Sequence, residues 1–556
     1  MKKRLTRILG IAMTVALLVG LFVTAAPLSA GTNSWSKFAI PSTTGMVLDT
    51  GDATGPMVMG SDGTIWAGRG TGNTGGLMSS TDFGATWKMN AGYAALTTGT
   101  NIMDISVSSI DPLQVYVTDG TDIFKTADGG TTWVTLSALV TAPANDLISS
   151  LDVGYIGTDA YIFAGTSGFG VGGGGGVYVA QEAVFGMPWS DMMIGTDRGV
   201  AFTGVPNVTE VMVDPNTFGT TQMVMAVVTD VGAGATMVTT KYSGAQWDAT
   251  VPGVTLPGVT ANLYGTSTWL PSDFSVSLAS GTMQLFIGVD SMTAAQGDVF
   301  WVIFGTPGTA FDLNVNGVTG MGVTSLDGIG PGNSASMLAS GYSAGATGVP
   351  TVLSSSAGGA LWTAAVKAPT GGATPLAPGT ALSEVLIDPV TGNAIVATHG
   401  TDSAVSASSD WSVWNGVSLI NAAIDAINDI SVLGSTVCMV TNQTSGNIDS
   451  LWKNSDGTWM RLLSSATFGN SFDMHEYADG AHFLTDAGGT AIYRSLTNTA
   501  TWATLVSAVP GAIAAWQVVD ANTIMVGGGA NTIYQTTNGG VIWFTRTATG
   551  LGVPVT

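Results

Sequence analysis

A short box, Thr126-Ala127-Asp128-Gly129-Gly130-Thr131-Thr132-Trp133, returns along this chain and constrains its fold more than any other feature. It reads Ser/Thr, any, Asp, any, Gly, any, Thr, Trp. A second full copy stands at Ser80, Asp82, Gly84 and Trp87. Three copies replace the Asp: Thr240, Gly244 and Trp247 flank Tyr242; Ser355, Gly359 and Trp362 flank Ala357; Thr536, Gly540 and Trp543 flank Asn538. Weaker traces end at Trp189, Phe311, Trp414, Trp459 and Trp502. These ten aromatics lie roughly 40 to 65 residues apart, the period of a repeat array built from one supersecondary unit.

Each clear copy sits between short apolar runs, such as Thr121-Asp122-Ile123-Phe124-Lys125 before and Trp133-Val134-Thr135-Leu136 after. That places it in the turn of a β-hairpin. The Asp can accept backbone N–H groups of its own turn, and Gly can take a positive φ that a branched residue resists. The Trp is expected to pack between neighbouring sheets. Upstream, Asp111-Pro112, Asp214-Pro215 and Asp388-Pro389 mark strand ends, because Pro cannot donate to a ladder. One period therefore holds three or four strands. Since the box survives with Tyr242 or Ala357 in place of Asp, it is read as a folding staple with no catalytic role.

The boxes resemble the Asp-box, or bacterial neuraminidase repeat, of β-propeller proteins. The resemblance implies an all-β propeller of about ten blades, either one large ring or two smaller ones, over residues 31–556. If there are two rings, they would divide near 367–380, a stretch rich in Pro and Gly that reads equally as a linker or as a long inter-blade loop. Asp-box proteins include sialidases, xyloglucan-active glycosidases, receptors and assembly factors, so the box implies a fold and leaves activity open.

Residues 1–30 read as a secretory signal. Lys2, Lys3, Arg4 and Arg7 precede an apolar run from Ile8 to Ala26, and the small residues around Ala30 set the expected cleavage. The whole chain has 15 Lys and Arg, 37 Asp and Glu, and a net charge of −22. Loss of the signal leaves 11 Lys and Arg against the same 37 acids, hence −26. Such a charge disfavours nucleic acid and anionic lipid as partners. One cysteine, Cys438, in an apolar β-type run, is expected to be a buried filler and cannot form an internal disulfide.

Specific chemistry is sparse. The arginine triad of a sialidase has few candidates among Arg69, Arg198, Arg461, Arg494 and Arg546. Glu182, Glu210, Glu384 and Glu476 show no pairing a glycosidase would need. His399, His475 and His482 match no zinc spacing and are expected to be solvated or structural. Asp49, Asp52 and Asp62 cluster in a turn-rich region where calcium is one reading and ordinary turns the other. Gly168 to Gly176 precedes a strand, so a flexible loop is expected there in preference to a phosphate cradle.

The acidic composition, rich in Gly, Thr, Ser, Ala and Val, resembles that of surface-layer proteins. The expectation is an exported structural or interaction protein of the cell surface. Its partners would be envelope components, further copies of itself or glycans, with no cofactor required and calcium one possible bridge between acidic faces. A glycoside hydrolase or glycan-binding propeller is the alternative.

Overall fold

The computed structural model describes residue 40 and, from 54 to 547, all but 70–75, 97–101, 137–138, 140–145, 168–174, 183–186, 196–201, 203–205, 215–222, 231–233, 243–244, 250, 260–262, 277–282, 292–296, 306, 316–320, 344–349, 370–382, 399–403, 420–423, 444–446, 456–457, 498 and 529–531. The expected signal, His399, Arg198, Gly244, Asp49, Asp52 and most of the Gly168–Gly176 and 367–380 stretches therefore lie outside the described residues.

The strands form eight four-stranded antiparallel sheets and one of eight strands, in which two four-stranded meanders join. In chain order the meanders span 54–89, 104–135, 147–191, 206–255, 263–312, 321–364, 384–419, 426–464, 474–504 and 515–547. Each runs up and down with sequential neighbours paired, as short apolar runs separated by tight turns dictate. In most meanders the second strand is covered on both faces by adjacent sheets. Val115–Thr118, Met223–Asp230, Gln284–Ser291 and Ala394–Ala397 are buried at every position. Their unbroken apolar runs follow from burial on two sides. The outermost strands are short and exposed, for example Lys88–Met89, Val134–Thr135 and Thr363–Ala364. Short edges limit unwanted strand pairing.

Seven meanders close into a β-propeller ring. Inner strands of the first to seventh contact one another in order, and the seventh (Glu384–Ile387) returns to the first (Thr54–Met59). Met57, Ile65, Ala67 and Trp87 of the first meander share a core with Ile395, Ala397, Val405 and Val417 of the seventh. The Trp87 indole N–H donates to Ser418 Oγ at 3.0 Å, and Ser418 Oγ donates to Gly84 O at 2.8 Å. The remaining three meanders run on as an arc, joined to the ring where Gly416 pairs with Arg461. Residues 370–382 connect the sixth and seventh meanders, both members of the closed ring.

Candidate functional site

The boxes occupy the turns before the outermost strands. Asp128 accepts from Thr132 N at 2.8 Å, Thr132 Oγ1 at 2.7 Å and Thr126 Oγ1 at 2.9 Å, while Gly130 N donates to Thr126 Oγ1 at 2.9 Å. Asp82 repeats the pattern with Ser80, Thr86 and Gly84. These bonds hold the Asp128 carboxyl below its usual range, the Thr132 backbone N–H contributing most. Asn538 keeps two of them, accepting from Thr536 Oγ1 and Ile542 N, and Gly540 N donates to Thr536 Oγ1. Where Ala357 stands, Gly359 N still donates to Ser355 Oγ.

Two copies are repaired by other residues. Beside Tyr242, Asp248 takes over, accepting from Thr239 Oγ1 at 2.6 Å and Thr240 N at 3.2 Å. Before Trp414, Ser408 and Asp410 form a box one residue short, with Asp410 accepting from Ser412 N and Val413 N. That shortening hid it from a fixed-spacing reading. Trp247 donates to Met192 O and Trp543 to Ser507 O, each reaching back toward the preceding meander. Trp133 meets Trp66 edge-on at 6.3 Å, and Trp362 packs against the same core cluster as Trp269 and Trp301.

The site-like feature lies elsewhere. The seven inner strands surround a cavity of about 850 Å³. Asp104, Asp152, Glu210, Asp327 and Glu384 line it with many hydroxyls and with Tyr264 and Trp269, and no Lys, Arg or His lies among its described lining residues. A recurring irregularity builds this wall. The pairing register slips at Ser149, Thr209, Tyr264 and Thr324, one extra residue in the inner strand each time. Such bulges bend a strand and re-aim side chains.

Most of the acids that follow are already engaged. Asp104 Oδ2 accepts from Leu151 N, Asp152 Oδ2 from Val213 N, and Asp327 Oδ2 from Ile387 N, at 2.6–2.7 Å. Each also holds the N–H of its own next residue. Ser150, Ser267 and Ser325 make the same reach to the next meander with a hydroxyl. Glu210 accepts from Thr268 N, Thr268 Oγ1 and Thr266 Oγ1. Adjacent blades are thus clipped together by side chains along the channel. Burial raises these carboxyls: Asp104 and Asp327 to about 7, Asp152 to about 6, and Glu210 and Glu384 to about 8, with like charges adding at Asp104, Glu210 and Glu384.

Sequence reasoning found no carboxylate grouping, yet a signal was present. Asp104-Ile105-Ser106, Ser150-Leu151-Asp152, Ser325-Leu326-Asp327 and Asp429-Ile430-Ser431 repeat an Asp/Ser alternation upstream of the boxes. Other candidates have local roles. Asp62 caps its own turn through Thr64, and Glu182 pairs with Lys125 and Tyr116. Arg494 donates to Ala521 O in the tenth meander, and Arg461 lies over Trp452. His475 and His482 are buried, contrary to a solvated reading, because they face the interface of the eighth and ninth meanders.

The architecture defines the class as a β-propeller. No protein-family description matches the chain, and no curated protein matches it. Solved structures similar to it include the GH74 xyloglucanase from Xanthomonas campestris (14% identity, 90% of this chain and 80% of that one, TM-score 0.47). Others are YCF48 from Cyanidioschyzon merolae (14%, 65% and 96%, TM-score 0.39) and the alpha-L-arabinanase of Penicillium chrysogenum (12%, 67% and 98%, TM-score 0.32). At these values none of their activities carries over.

Proposed function

We propose that this chain is an exported cell-surface protein that works by contact, with envelope components or with copies of itself. The observation that carries the reading is the inner strand of the eighth meander, Ala426–Leu433. It exposes Ile427, Ile430, Val432 and Leu433, at 45–64% for each side chain. Four large apolar groups on one strand suit an interaction surface. The clip bonds support it too, since Asp104, Asp152 and Asp327 are committed to joining blades. Export rests on residues 1–30, with cleavage after Ala30, and the acidic surface would use calcium only as a bridge between like charges.

The test is the mature chain with and without calcium, followed by light scattering and electron microscopy. Association is expected, and Ile430→Asp with Val432→Asp should abolish it. A monomer under all conditions overturns self-association. A glycan-directed channel is the second reading, favoured by the hydroxyl-rich wall with Tyr264 and Trp269. Polysaccharide turnover that disappears in Glu210→Gln with Glu384→Gln would establish it instead.

A further inference from the structure

A cysteine of the eighth meander meets two histidines of one hairpin of the ninth. Cys438 lies on Thr436–Gln443, His475 on Met474–Ala478 and His482 on Ala481–Thr485. One ligating atom from each falls within 4.8 Å of the others. All three side chains are at most 1% exposed. His475 Nε2 and His482 Nδ1 are 3.0 Å apart, and Ser431 Oγ sits 2.6 Å from His475 Nδ1.

We infer that Cys438, His475 and His482 form a buried site for a transition-metal ion of the zinc class, pinning the ninth meander to the eighth. One thiolate and two imidazoles are borderline-to-soft donors that suit these ions and not calcium or magnesium. Two nitrogens bound at 2.0–2.1 Å in a tetrahedral site would stand about 3.3 Å apart, so the observed pair needs to open by only a few tenths of an ångström. Ser431 supplies the outer hydrogen bond that commonly fixes a metal-bound imidazole.

A metal-bound imidazole must be neutral and a metal-bound cysteine a thiolate, so loading an ion displaces the thiol proton. The site has no open face, so loading accompanies folding.

The test uses full mature protein from cells grown with added zinc or cobalt. We expect about one equivalent to survive desalting and a higher melting temperature than chelator-grown protein. Cobalt should give a thiolate-to-metal charge-transfer band. Since Cys438 is the chain's one cysteine, that band reports this site alone. Cys438→Ala, a small change, should remove the band and most of the metal, and His482→Ala should lower retention at least tenfold. Folded wild type that retains less than about a tenth of an equivalent of either ion overturns the proposal. So does full retention in folded Cys438→Ala.

Discussion

At the scale of single residues, the box works by giving every polar group of one turn a partner inside that turn. Gly130 shows how tight the arrangement is. Its φ is +87°, and an added Cβ would lie 2.3 Å from Asn90 Nδ2 and 2.8 Å from Trp66. Gly130→Ala should therefore cost about 1–3 kcal/mol from backbone strain, with the clash adding to it. Gly157→Ala is the fitting control, since it shares a positive φ (+66°) but has open space around it. Equal losses in urea denaturation would show that strain acts alone and the Trp66 contact contributes nothing. The ninth meander shows that the turn tolerates such strain. Thr499 takes the glycine position at φ +71°, and its N–H still donates to Ser495 Oγ.

At the scale of elements, the inner strands carry the acid chemistry. A carboxyl raised by burial stays protonated in the folded state while the unfolded chain has already lost its proton. Stability then falls as pH rises from the unfolded value, near 4, through the folded one. For Asp152 the fall spans pH 4 to about 6, for Asp104 and Asp327 to about 7, and for Glu210 and Glu384 to about 8. The turn acids Asp128, Asp388, Asp410 and Asp520 act in the opposite sense. Their lowered values add stability above pH 4 that is lost on acidification. Urea midpoints should thus decline from pH 5 to pH 9, and Glu210→Gln with Glu384→Gln should flatten the upper part of that decline. A midpoint that rises across this range would contradict the buried-acid account.

At the scale of the whole molecule, the ring depends on one seam. Trp87 is 4% exposed and joins the first meander to the seventh across 331 residues of chain. Trp87→Ala should cost about 3–5 kcal/mol, as for other large buried aromatics. It should also open the seam to limited proteolysis between the two meanders. Val134→Ala, at an exposed rim position, should change stability little. A Trp87 variant no weaker than the rim variant would mean that the ring does not rely on this closure.

The sequence by itself determined what is local. Box, turn and hairpin were legible because their hydrogen bonds link residues two to four apart, as in Thr126 with Asp128 and Gly130. The all-β propeller class followed from that repetition, and the burial of Cys438 from its apolar surroundings. The tertiary structure alone decided that seven meanders close on themselves, because the seam at Trp87 and Ser418 is a contact between distant sheets. It alone brought Asp104 to Leu151, Asp152 to Val213 and Cys438 to the two histidines. Side chains along one strand alternate between faces, but which neighbour each face meets depends on how sheets stack around the axis. No spacing within one repeat encodes that choice, so the staples were readable and the channel and the buried thiol–imidazole cluster were not.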